Sequence, residues 1–180
     1  MHYPVSMNEL LDIKPGGWRL ILTPKSMRMT ILTLIARMAQ HSPLLIFDGG
    51  NQFNVFQVAR GARGQPEVLG RIRVSRAFTC YQMTSLLEST SSTNTPVLLL
   101  DFLSTFYDES VRIMERHRLL EKCLKQIHRL SRSAGVLVTV HPPALPSEVS
   151  RQLIRRMQNQ DTEVWLPELP TPAPEPLRLF

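Results

Sequence analysis

At 180 residues the chain is long enough for one domain with its own core, and short for two of ordinary size. A hydrophobic share of 43% against 20% charged excludes a disordered chain, and no run approaches the roughly 18 apolar residues of a membrane span. The formal net charge of +6 and pI of about 9.9 favour anionic partners, nucleic acid among them.

Met1 to Gly17 reads as a lead-in with a helical turn around Asn8 to Leu11, broken by Pro15-Gly16-Gly17. Its start, Met1-His2-Tyr3-Pro4, has neither the basic nor the apolar region of a secretory leader, so the cytoplasm is the expected compartment. Trp18 to Leu22 has strand character. Thr30 to Gln40 places Ile31, Leu34, Ile35 and Met38 at helical spacing, and His41-Ser42-Pro43 ends that helix. The continuous apolar run Leu44 to Phe47 suits a strand buried on both faces, stopping at Asp48-Gly49-Gly50. A short helix over Phe53 to Arg60 and a loop over Gly61 to Gly70 follow. Arg71 to Val74 predicts a strand, Thr79 to Ser89 a helix, and Ser89 to Thr95 a polar loop.

Pro96 to Asp101 is the clearest buried strand. Glu109 to Ser133 predicts a long helix with Leu119, Leu120, Cys123, Leu124, Ile127 and Leu130 on one face, capped by Gly135. Val136 to Val140 is the next strand, and Pro142 to Pro146 an irregular connection. Ser147 is placed to N-cap a helix reaching about Met157. Thr162 to Leu166 predicts a final strand, and Pro167 to Pro176 an extended proline-rich tail that could serve as a docking strip.

This alternation predicts an α/β fold: one three-layer core over residues 1–166, with a mainly parallel central sheet flanked by helices, and a tail over 167–180. Ligands of such folds sit at the carboxyl ends of the strands, here Thr23, Asp48, Asp101 and His141. Cys80 and Cys123 form no CxxC and the five histidines no ligand spacing, so neither a disulfide framework nor a metal site is expected.

Glu115 to Gly135, ERHRLLEKCLKQIHRLSRSAG, resembles the helix after the Walker B strand of RadA-type recombinases, which reads ARQ-x-x-L and runs on to a glycine. Val97 to Asp101, followed by Phe102 to Tyr107, is similar to that family's Walker B strand and its exit. Val136 to Thr139 is similar to its sensor strand. Arg71 to Thr79 resembles its strand ending in Arg-Ala, and Ile46-Phe47-Asp48 with Phe53 and Arg60 the strand bearing its catalytic glutamate. The blocks share order and spacing over roughly residues 15 to 141. The resemblance implies a RecA-like core with an ancestry in ATP-driven assembly on DNA.

It also implies where the nucleotide site would lie. A phosphate-binding loop needs glycines for backbone approach, a lysine for the β- and γ-phosphates and a Ser or Thr for magnesium. The matching stretch is Thr23 to Thr30. Thr23 and Arg28 stand at the glycine positions and Met29 at the lysine, so only Thr30 fits. The family's general-base glutamate falls near Gly50. Its sensor pair falls at Val140 and His141, and Asp101 keeps the Walker B position as a local hydrogen-bonding carboxylate. No catalytic residue, cofactor or metal is therefore expected, which makes the chain a pseudo-ATPase. The alternative is a divergent ATPase using Lys25 or Arg28, although the helix expected from Thr30 puts neither at its N-terminus.

The family's two DNA loops correspond to Thr105 to Arg112, with Arg112 its one basic residue, and to a shortened stretch from His141, followed by Arg151, Arg155 and Arg156. A second basic cluster comprises Arg60 and Arg63 in a loop region and Arg71, Arg73 and Arg76 along a strand, as a stripe on a sheet edge. Phosphate contacts from these would be independent of sequence. The family's N-terminal helical domain and polymerisation linker are not recognised. The expected role is an accessory or scaffold in recombination or DNA repair, paired with a RecA-like subunit or with itself. A regulatory subunit without DNA binding is the further alternative.

Overall fold

The computed structural model describes residues 13–160 and 163–165. The expected lead-in turn and the proline-rich tail lie outside them. The strands are β1 (Trp18–Leu22), β2 (Leu44–Asp48), β3 (Ile72–Arg76), β4 (Val97–Leu100), β5 (Val136–Val140) and β6 (Glu163–Trp165). The helices are α1 (Arg28–His41), α2 (Val55–Gly61), α3 (Cys80–Ser89), α4 (Ile113–Ser131) and α5 (Glu148–Gln158). The strands form one sheet in the order β3-β2-β4-β5-β1-β6. Every pairing in it is parallel.

Side-chain alternation along the strands builds the three layers. From β4, Leu98 and Leu100 pack with Ile31, Leu34, Ile35 and Met38 of α1 and Val58 of α2. Val97 and Leu99 face the other way, onto Met83 and Leu87 of α3, Leu120, Leu124 and Ile127 of α4, and Leu153 and Met157 of α5. Two apolar cores therefore sandwich the sheet, as the double-sided apolar runs of β2, β4 and β5 require.

Helix starts follow capping chemistry. Asn54, Thr79 and Ser147 each accept a backbone N–H three residues on with their side chains. The long helix starts four residues later than Glu109, because Asp108 Oδ1 accepts the Ser110 N–H at 2.9 Å and holds a turn there. The expected loop over Gly61 to Gly70 contains a 3₁₀ turn, Pro66–Arg71, anchored by the buried Val68.

Gly135 does not cap α4. Its φ is not positive, and a Cβ there would lie 2.6 Å from Ile13 Cγ2 and 2.7 Å from the Ile13 carbonyl carbon. Its role is to admit the incoming chain beside β5. That approach is fastened by the Gly16 N–H donating to Ser131 O at 2.8 Å.

Candidate functional site

The carboxyl ends of β1, β4 and β5 meet where α1 leaves towards one face of the sheet and α5 towards the other. In parallel sheets such a change of direction opens a crevice. Here it holds a cleft of about 390 Å³. Thr23, Lys25, Arg28, Asp101 and His141 line it, as the sequence predicts. Met29, Thr30 and Gly50 do not. Met29 is half exposed at 49%, so the side chain at the expected lysine position turns towards solvent. Sequence reading missed Gln52, Thr139 and the apolar Ile31, Leu32 and Leu100. Thr139 and Leu100 lie at ends of predicted strands and could have been found; Gln52 carried no signal.

The loop after β1 is closed on itself. The Met27 N–H donates to Pro24 O at 2.9 Å, and the Arg28 N–H donates to Lys25 O. These bonds make a 3₁₀ turn, Lys25–Met27, running directly into α1. A phosphate cradle needs such amides turned towards its ligand, and two of them here are taken. The helix begins at Arg28 rather than Thr30, which corrects the expectation that neither Lys25 nor Arg28 stands at its N-terminus. Arg28 is the first helical residue, and its Nη2 donates to Gln52 O at 3.3 Å. It ties the start of α1 to the loop after β2.

The floor is a web of side chain to backbone bonds. Thr139 Oγ1 accepts the Asp101 N–H at 2.9 Å and donates to Leu99 O at 3.4 Å. Asp101 has φ 46° and ψ 51°, the left-handed region that Asp tolerates better than most residues. That turn brings Asp101 Oδ1 to 3.1 Å from the His141 N–H it accepts. Burial pushes the Asp101 carboxyl above its ordinary range, Asp48 adds to this, and the His141 bond and charge oppose it. His141 Nδ1 lies 2.6 Å from Thr23 O. A carbonyl only accepts, so Nδ1 carries the proton and Nε2 presents a lone pair when the ring is neutral. Tyr107 donates its hydroxyl to His141 O at 3.3 Å, and burial pushes its phenol pKa up.

Asp48 is fully buried and accepts the Gln52 and Phe53 N–H groups, each at 2.9 Å. It shapes the β2–α2 loop. Gly50 packs against Asp101, where a Cβ would lie 2.6 Å from the Asp101 Cβ. The two buried acids are thus engaged by backbone, and among the described residues no group of His, Cys, Asp and Glu is arranged to hold a metal ion.

The basic candidates divide. Arg71 is not on the strand but ends the 3₁₀ turn before it, where its Nη1 donates to Ala39 O and Gln40 O at the end of α1. Arg76 donates to Phe53 O and lies 3.8 Å from Asp48. Arg151 pairs with Glu148, and Arg156 with Glu121. Arg60 lies in α2 rather than a loop, and Arg63 follows it with φ 50°. The edge stripe is thus reduced to Arg73, with Arg60 and Arg63 near it in sequence. Arg112 at the N-terminus of α4 and Arg155 on α5 are both exposed, in the helical layer opposite α1 and α2. Of the first expected DNA loop, Thr105 and Phe106 belong to a buried 3₁₀ turn held by Arg116 Nη1 on Phe106 O at 3.4 Å. Tyr107 to Arg112 remain at the surface or close to it.

No protein-family model matches the chain, and none of the curated proteins matches it. Among solved structures, a crystal structure of the RadB recombinase is similar to it at a TM-score of 0.49 and 19% identity. That likeness covers 72% of this chain and 62% of the recombinase's chain. The fold itself is a three-layer α/β sandwich with an all-parallel sheet among the described residues. No helix among them is long and apolar enough to cross a membrane.

Proposed function

We propose that the chain is a RecA-like pseudo-ATPase. It acts as an accessory or scaffold in recombination or DNA repair, pairs with a protein partner and contacts DNA without sequence preference. The observation that carries the reading is the closed turn from Pro24 to Arg28. Two amides of the would-be phosphate cradle bond within the turn, Arg28 spans to Gln52 O, and Met29 points away from the cleft. The sequence blocks shared with RadA-type recombinases supply the superfamily. Calorimetric titration with ATP and magnesium tests it, with no binding heat expected.

One observation favours a divergent nucleotide-binding site instead. The N-terminus of α1 has no capping side chain and no acid in its first turn, while Lys25 and Arg28 line the cleft beside it. Helix N-termini attract anions. Tight ATP binding that disappears on Lys25→Ala or Arg28→Ala would establish that reading and end the first. Affinity capture that recovers a RecA-like partner after nuclease treatment, with no DNA binding at low salt, would leave a protein-interaction subunit.

A further inference from the structure

The two helices of the opposite layer, α4 and α5, lie side by side with a groove between their outer faces. His117 of α4 lines it with Gln152, Arg155, Arg156 and Asn159 of α5 and its C-terminus. All five side chains carry N–H donors or acquire one on protonation, and none is an acid. The neighbouring carboxylates are already engaged. Glu121 pairs with Arg156, and Glu148 pairs with Arg151 and accepts from Gln152. The Arg155 side chain is exposed and forms no hydrogen bond or close ion pair among the described residues, although its charge adds to the Arg151 bond in lowering the Glu148 carboxyl. His117 Nδ1 is buried without a hydrogen-bond partner, in a ring otherwise half-buried. A groove whose lining carries N–H groups and no carboxylate of its own suits an oxyanion.

We propose that the α4–α5 groove is a phosphate site for the backbone of a nucleic acid, with Arg155 and His117 as its principal donors. The assignment rests on the DNA-contacting part of the reading above and gives that part a location. Nucleic acid is favoured as the source by the net charge of +6, since repeated phosphates can engage dispersed arginines such as Arg112 at the same time. The contact is independent of sequence, because it involves no base edge. It lies away from the cleft, on the outer surface of the helical layer.

Fluorescence anisotropy with labelled single- and double-stranded oligonucleotides, at a series of salt concentrations, tests the site on the full chain. Arg155→Ala removes an exposed side chain and leaves the core untouched. It is expected to weaken binding roughly tenfold at low salt and to reduce the salt slope by about one. Glu121→Gln releases Arg156 and is expected to tighten binding several-fold. Arg60→Ala removes the same charge from the other layer and changes binding less than Arg155→Ala. Wild-type binding with no loss in Arg155→Ala and His117→Ala overturns the site while leaving DNA contact standing. Absence of wild-type binding at low salt overturns both. Arg155-dependent NMR shifts with inorganic phosphate, without oligonucleotide binding, would show a free-anion site and overturn the nucleic-acid assignment.

Discussion

Gly50 and Asp101 are packed so closely that a Cβ on the first would fall 2.7 Å from the carboxyl carbon of the second. The contact joins the loop after β2 to the end of β4. It also means that a side chain at position 50, a glutamate included, has no room while Asp101 keeps its place. Gly50→Ala is expected to cost about 1–3 kcal/mol by overpacking. The cost should shrink when Asp101→Gly, which removes the opposing Cβ as well as the carboxyl and accepts the left-handed backbone, is combined with it, a coupling that urea unfolding of the double-mutant cycle measures. Strict additivity would show that the loop relaxes some other way.

Asp101 also gives the fold a pH dependence of known sign. Its folded pKa is raised, chiefly by burial, so the folded state holds this proton more tightly than the unfolded chain. That contribution is complete below the unfolded value of about 3.9 and is lost as pH rises through the folded value. Asp101→Asn keeps an acceptor for the His141 N–H and has no charge to desolvate. The variant should gain on the wild type as pH rises from about 4 towards neutrality, and the two should converge in acid. Parallel stability curves from denaturant titrations would contradict this.

Gly135→Ala should be among the more damaging single changes outside the cleft. The new methyl meets the Ile13 backbone and must displace the segment whose Gly16 N–H bonds Ser131 O. A loss of about 1–3 kcal/mol is expected. Faster amide exchange should be concentrated at Gly16 and along β1.

Both thiols should be silent in the folded protein. Burial pushes the Cys123 thiol up to about 12 and raises Cys80 as well, so little thiolate forms at neutral pH. Thiol-specific dye is expected to label neither until denaturant is added, when both react. Rapid labelling of Cys80 in the native protein would mean that the start of α3 opens.

The strands were legible because burial on both faces leaves continuous apolar runs, as in Leu44 to Phe47 and Pro96 to Leu100. Thr23, Asp101 and His141 were legible because strand ends mark the crevice of a parallel sheet, and Lys25 and Arg28 because they fall in the stretch that resembles a phosphate-binding loop. The rest depended on contacts between distant segments. Nothing local distinguishes Gly135 as a point of close approach from Gly135 as a helix cap. Nothing local tells Arg71, spent on the carbonyls of α1, from Arg73, which is exposed. The late start of α4 was set by a side chain to backbone bond at Asp108 that helical periodicity does not register.

The sheet order has a consequence for how the chain is made. β1 pairs with β5 and β6, so Trp18 waits for Val136 and Arg19 for Glu163. Among the described strands β1 therefore has no partner until β5 has emerged. Until then its apolar residues Trp18 and Leu20 lack much of the core that buries them. A nascent chain arrested before Val136 should hold β2, β3 and β4 together while leaving β1 open to protease and chaperone.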